Sequence, residues 1–293
     1  MKIKKIILLC IVLSIVLLSK PVKVDEILTE KGTFKLDISV AYSNIQQSKE
    51  MMSSMLYQTQ NGDFIYLPTY LGSRDNNQDY FNYIFTLRYG INKDLELFVS
   101  LNLYNSTSYF QLSNVFENES MNGFNSLKMG ATYQIKKETE TPSLLLGISA
   151  DVLENTVLGK EIEESYFKNF RIFGTSYYTV DPVVFLLQAS YDISLQHEFT
   201  KMNVENGDIF TFSPQVYFSV NPYTNIYGGV RYTYQNENRV NEKIITINGS
   251  NISFLTGATY ELNTKMILDV NAEFLNSIQV SRNTIATTLS YKF

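Results

Sequence analysis

The sequence predicts an all-β fold, an up-and-down antiparallel transmembrane β-barrel of about twelve strands. Three observations predict it. An export-type leader opens the chain. Apolar and polar residues then alternate with period two through most of the remaining chain. Tight and long connections take turns between the alternating runs, and the last run ends on Phe293.

The leader comes first in the chain. Lys2, Lys4 and Lys5 precede an apolar run from Ile6 to Leu18, interrupted only by Ser14. This is the pattern of a secretory signal. The run has 13 residues, against the roughly 20 that a bilayer-crossing helix needs. Residues 1–24 are therefore expected to be a signal peptide and 25–293 the outer-membrane barrel. No A-x-A site stands near Ser19 to Asp25, which leaves a retained anchor as the alternative. The lone cysteine, Cys10, lies inside the apolar run. A lipid anchor there is the weaker reading, and no disulfide framework or cysteine-based metal site can form in the remainder.

The leader holds five lysines and no acidic residue, so its removal takes the formal charge from −5 to −10. That acidity argues against nucleic acid as a partner, which demands a basic footprint. No later stretch is long and apolar enough for a spanning helix. A membrane location would have to be reached with strands.

Alternation supplies them. Phe34, Leu36, Ile38, Val40 and Tyr42 interleave with Lys35, Asp37, Ser39 and Ala41. Phe81, Tyr83, Phe85, Leu87 and Tyr89 form the second run, and Leu95, Leu97, Val99, Leu101 and Leu103 the third. Period two is the signature of a half-buried strand. Further strands are expected near 124–135, 143–153, 168–180, 183–194, 209–220, 224–235, 251–262, 264–275 and 283–293. The run 168–180 is the weakest, because Gly174 and Ser176 dilute its apolar face.

Tight turns are expected at Ile91–Asp94, Lys136–Pro142, Asp181-Pro182, Asn221–Thr224 and Leu262–Thr264, all rich in turn-forming residues. Long connections are expected at 43–79, 105–122, 154–167, 195–208, 236–250 and 276–282. A meander with short turns at one end and long loops at the other is how outer-membrane barrels are built. A soluble sandwich alternates in the same way, with its apolar face toward a core. The leader, the regular connections and the terminal strand favour the barrel, in which the apolar face meets lipid. The abundance of tyrosine (21) and phenylalanine (19) suits interfacial girdles. A terminal aromatic is then expected to end the strand that closes the ring.

Leu289, Tyr291 and Phe293 resemble the C-terminal signature read by the barrel assembly machinery of Gram-negative-type envelopes. That resemblance implies this machinery as an assembly partner. A wider resemblance spans roughly residues 80–293. LRYGINKDLELFVSLNLY (Leu87–Tyr104), GFNSLKMGATYQI (Gly123–Ile135), DPVVFLLQASYDIS (Asp181–Ser194) and VNPYTNIYGGVRYTY (Val220–Tyr234) carry it. Their order resembles the transporter family named for a phenol-degradation meta-pathway. The resemblance implies a porin-like barrel passing small, often aromatic, compounds, with no catalytic residue to transfer.

The residues themselves carry little enzymatic chemistry. His197 is the single histidine, so a two-histidine zinc motif is excluded. A serine hydrolase would need a serine and an orienting group beside it, and no serine lies two residues on. No cofactor or metal is expected. The polar strand faces are richer. Arg88, Glu96, Lys128, Asp151, Asp192, Arg231, Asp269 and Glu273 are the expected lumen-lining residues, joined by Lys35, Asp37, Arg171, Glu261, Lys265 and Lys292. Arg88, Lys128, Asp151, Asp192, Arg231 and Asp269 are expected near strand centres. Facing lipid at mid-bilayer, an Arg or Lys costs about 2–4 kcal/mol. Facing a lumen, such residues could brace the interior as cross-strand ion pairs, select solutes as a mixed-charge pore, or do both.

Lys49–Tyr70 stands apart. Met51, Met52, Met55 and Leu56 form an apolar stripe at helical spacing, and methionines adapt to varied apolar ligands. A lid helix with Met51, Met55, Leu56 and Tyr57 as solute contacts is one reading. A hairpin turning at Asn61-Gly62 is the favoured one. Membrane lipid and a small-molecule solute are the remaining expected partners. Passive passage of small molecules, aromatic or hydrophobic ones among them, is the expected function. A sealed structural or surface-interaction barrel is the alternative.

Overall fold

The computed structural model describes residues 27–47, 55–58, 64–67, 76–112, 115–158, 161–200, 202–277 and 280–293. The strands, in chain order, begin with β1 (Phe34–Gln47), β2 (Met55–Gln58), β3 (Phe64–Leu67), β4 (Asn76–Gly90) and β5 (Leu95–Leu112). Next come β6 (Val115–Lys136), β7 (Leu144–Leu158), β8 (Glu161–Ser165), β9 (Asn169–Val180) and β10 (Val183–Ser194). They are followed by β11 (His197–Glu198), β12 (Asn203–Glu205), β13 (Ile209–Asn221), β14 (Thr224–Gln235) and β15 (Asn238–Val240). The last are β16 (Lys243–Thr246), β17 (Gly249–Asn263), β18 (Met266–Asn276) and β19 (Val280–Lys292).

Twelve of these strands close a ring. The hydrogen-bonded order runs β6-β5-β4-β1-β19-β18-β17-β14-β13-β10-β9-β7, and a β6–β7 pairing completes it. Every expected barrel strand is present, the weak 168–180 run included as β9. First and last strands meet in an unbroken antiparallel ladder from Lys35↔Lys292 to Gln47↔Val280. Phe293 extends this seam: its amide donates to the Phe34 carbonyl at 3.0 Å. Its ring meets Tyr291 edge-on at 4.9 Å. Closure leaves the twelve-stranded ring without an edge for another chain to pair with.

The two faces of each strand separate by polarity. Val40, Phe85, Leu97, Ile148, Phe185, Phe212, Val270 and Ile285 point outward and are exposed. Asp37, Ser39, Asn82, Thr86, Arg88, Glu96, Ser100, Ser213 and Thr288 point inward and are buried. This inverts the arrangement of a soluble core. Lipid accepts the apolar belt, and the polar groups turn to each other. Outward aromatic pairs brace neighbouring strands, with Phe34–Tyr89 at 4.6 Å and Tyr42–Phe81 at 5.1 Å.

Several connections differ from the expected pattern. The expected loop 105–122 is largely strand, since β5 runs to Leu112 and β6 starts at Val115. At 18 and 22 residues, these strands exceed the roughly 9–11 a crossing needs, so their hairpin reaches beyond the bilayer. The expected long connection 276–282 is also short, because β18 ends at Asn276 and β19 begins at Val280. A period-two pattern that turns polar where a strand leaves lipid reads as loop, although its ladder continues. The 43–79 region holds a hairpin, with Gln58 opposite Phe64 and Met55 opposite Leu67. Met55, Leu56 and Tyr57 therefore lie on a strand, as in the hairpin reading and not the lid helix. Met51 and the Asn61-Gly62 turn lie outside the described residues. A second small sheet, β11-β12-β15-β16, joins the loops after β10 and β14.

The lipid-facing assignment predicts a depth-dependent penalty. Val40→Arg should destabilise the barrel by about 2–4 kcal/mol, read by denaturant titration in lipid vesicles. A loss below about 0.5 kcal/mol would mean that this face does not touch the bilayer centre.

Candidate functional site

The inward-facing charges gather into groups that strand register brings together. Arg88, near the short-turn end of β4, lies between two carboxylates. Its Nε donates to Asp37 Oδ2 at 2.8 Å and its Nη1 to Glu96 Oε1 at 2.7 Å. The remaining Asp37 oxygen accepts from Ser290 Oγ, and Lys35 Nζ stands 4.0 Å away. The group thus spans β19, β1, β4 and β5. Arg88 also sits over the Phe98 ring, 5.7 Å from its centroid. Phe98 in turn meets Phe173 at 6.4 Å. Gly147 makes room for that second ring: a Cβ there would fall 2.1 Å from the Phe173 side chain.

A second group lies around the ring. Lys128 Nζ is 3.8 Å from Asp151, and Arg171 pairs with Asp192. These four side chains come from β6, β7, β9 and β10. The third group sits across the barrel, where Glu273 is shared by Arg231 and Arg282 and accepts from Ser253 Oγ at 2.7 Å. Asp269 accepts from the Tyr227 hydroxyl at 3.0 Å and from Asn271 Nδ2 at 2.8 Å. Buried carboxylates and guanidiniums are expensive unless paired or hydrogen-bonded. The Arg88, Arg171 and Glu273 groups are both, Lys128 and Asp151 are paired, and Asp269 is hydrogen-bonded.

All eight expected lumen residues thus face inward and are buried. Some positional expectations need correction. Arg88 and Asp192 are not near the strand centres: Arg88 lies beside the β4–β5 turn and Asp192 close to the end of β10. Arg282 was not among the expected residues, because its strand was expected to begin at 283. It shares parity with Thr284, so carrying the alternation back by two residues would have found it. Asn82 and Asn102 form a further feature. Both amides are buried, and neither has a hydrogen-bond partner among the described residues. Buried amides normally make such bonds, so these two are among the uncommitted polar groups of the described wall.

His197 occupies a different place, in the small sheet at the long-loop end. It is 1% exposed. Thr156 Oγ1 lies 3.2 Å and Ser165 Oγ 3.4 Å from its Nδ1, while Glu154 Oε1 lies 3.8 Å from Nε2. A serine therefore does stand beside the histidine, brought there by the β7–β8 hairpin and not by nearness in sequence. Its hydroxyl donates to Glu154 Oε1. Burial, with Lys168 adding to it, lowers the imidazole to about 4, so the ring is neutral near pH 7. Among the described residues, no cluster of three metal-ligating side chains occurs.

No family model matches the sequence, and no curated protein matches it. Solved structures do match in fold. An outer membrane channel from Pseudomonas putida F1 is similar over 90% of this chain and 96% of its own, with a TM-score of 0.62 and 12% identity. The transport unit of the autotransporter AIDA-I from Escherichia coli covers 90% of each chain, at a TM-score of 0.51 and 14% identity. The NanC porin is similar over 88% of this chain and all of its own, at 0.50 and 8%. Together with the apolar outer belt and the closed ring, these likenesses make the chain a transmembrane β-barrel of the outer-membrane type.

Proposed function

We propose that the barrel gives passive passage to small molecules, with apolar and aromatic compounds among them. The observation that carries this reading is the lumen wall itself. It combines paired charges with inward rings, notably Phe98, Phe173 and the Tyr217–Tyr227 stack at 4.5 Å. Fixed opposite charges facing one another order a permeating solute without holding it by net charge. Rings and aliphatic groups between them favour apolar solutes. Passage runs down a gradient and makes no covalent bond. The fold neighbour from Pseudomonas putida is itself described as a channel, which supports the reading by analogy of fold.

A sealed structural barrel is the second reading, favoured by the same ion pairs. Buried inward charges that satisfy one another brace an interior as well as they line a pore. Within this reading of function, residues 1–24 act as the export signal. Leu289, Tyr291 and Phe293 serve the assembly machinery, and the β2–β3 hairpin, which carries Met55, Leu56 and Tyr57, extends the β1–β4 pair beyond the membrane.

Purified protein in planar bilayers should show discrete conductance steps, and a knockout should lose more of its uptake of aromatic solutes, relative to the intact strain, than of small hydrophilic ones. A barrel with neither steps nor an uptake defect is sealed. Arg88→Glu would set three carboxylates together, so neutral variants are the informative ones. Arg88→Gln and Arg231→Gln, checked for folding by heat-modifiable electrophoretic migration, should each raise cation preference about severalfold. Unchanged reversal potentials in folded variants would remove these residues from the permeation path. Phe293→Ala should lower assembly in cells while costing refolded protein no more than about 1 kcal/mol. Equal losses in both settings would make Phe293 a packing residue alone.

A further inference from the structure

The segment Ile27–Thr33, ahead of β1, does not run along the barrel rim. The Thr29 amide donates to Glu96 Oε2 at 2.7 Å, the carboxylate that also holds Arg88. Thr29 is buried. Gly32 donates to the Gly90 carbonyl at 2.7 Å, and Thr33 to the Glu30 carbonyl at 3.1 Å. At Gly90 a Cβ would lie 2.2 Å from the Glu30 carbonyl oxygen, so the chain passes there only because position 90 is glycine. Lys292 Nζ meets Glu30 Oε1.

Beyond these ties, Ile27 and Leu28 pack against buried Leu145, Tyr177 and Val184, with Leu186 and Tyr217 alongside. Those five residues belong to β7, β9, β10 and β13. In the ring order, β10 stands six places from β1 in either direction. The segment therefore crosses the short-turn mouth from one wall to the opposite one. It adds no strand to the barrel, and among the described residues its only ladder contact is the isolated bridge Lys31↔Gly90. All twelve barrel strands keep their partners without it.

The seat on the far wall has the chemistry of a ligand site. It is aliphatic and aromatic, and its Tyr217 hydroxyl is already committed to Gln215. The Tyr217 ring is fixed by its stack on Tyr227. Pre-formed apolar walls with satisfied polar groups bind small apolar molecules. We infer that Ile27–Thr33 is a displaceable strap across the short-turn mouth, and that the wall formed by Leu145, Tyr177, Val184, Leu186 and Tyr217 is a subsite for small aromatic solutes. A solute reaching that wall from the lumen competes with Ile27 and Leu28 for it and frees the strap. This rests on the passage reading, since the lumen must admit the solute.

The test reads strap position and not flux. Leu28→Cys, in a chain whose Cys10 is replaced by Ser, is purified, reconstituted and labelled with a water-soluble maleimide. Labelling should be slow at rest and rise about tenfold, saturably, with toluene, which competes for the seat. Glycerol should leave it unchanged. Adding Val184→Asp should give fast labelling without toluene and abolish the response, and Val184→Ser serves in its place if the aspartate variant does not fold. A rate that ignores toluene, whether slow or fast, overturns the inference. So does a toluene response that survives the Val184 change, because the solute is then acting elsewhere. Toluene flux with unmoved labelling sinks the strap and spares the passage reading. A toluene response in a barrel that passes no solute spares the subsite and sinks passage.

Discussion

Backbone closure in lipid is the constraint on which the structure depends. Inside a bilayer no water is present to satisfy an unpaired amide or carbonyl, and each such group costs several kcal/mol. A sheet can remain there only if its first strand finds its last. In this chain that meeting is the continuous β1–β19 ladder, extended by the Phe293 amide on Phe34. Once the ring is closed, strand polarity is dictated. One face must accept lipid, and the other encloses a space too confined to leave a charge without a partner.

The inward charges are best understood through that confinement. Coulomb attraction strengthens where water is scarce, and so does the desolvation cost of each ion. A lone Arg88 would be expensive, whereas Arg88 between Asp37 and Glu96 is satisfied on two sides. The same logic places Glu273 between Arg231 and Arg282. Pairing also works across strands. Each ion pair ties neighbours that are separate in sequence, so the groups resist the shear that would slide one strand along the next. A wall of this kind carries strong local fields with little net charge.

The strap connects this electrostatics to the mouth. Glu96 holds Arg88 with one oxygen and the Thr29 amide with the other, so the bracing of the wall and the position of the strap share a single carboxylate. Among the described residues, the opposite end of the strap is held by apolar contact. A segment fastened by hydrogen bonds near β1 and by packing far from it has one end held more firmly than the other, as a hinged closure requires.

Much of this was legible in the sequence, for a physical reason. Period-two alternation comes from the pleat, and lipid imposes it strictly on every strand, so twelve runs and their inward charges could be read residue by residue. The terminal alternation through Tyr291 and Phe293 likewise announced a closing strand. The alternation could not say where lipid ends. Strands β5 and β6 continue as a ladder after their outer face turns polar, and that stretch looks like loop until its partner is known. Nor does it give register. Which carboxylate meets which guanidinium, the approach of Ser165 to His197, and the seating of Ile27 and Leu28 on the far wall all depend on strands distant in sequence. Local pattern fixes the face on which a side chain lies, and only the closed ring decides what stands opposite.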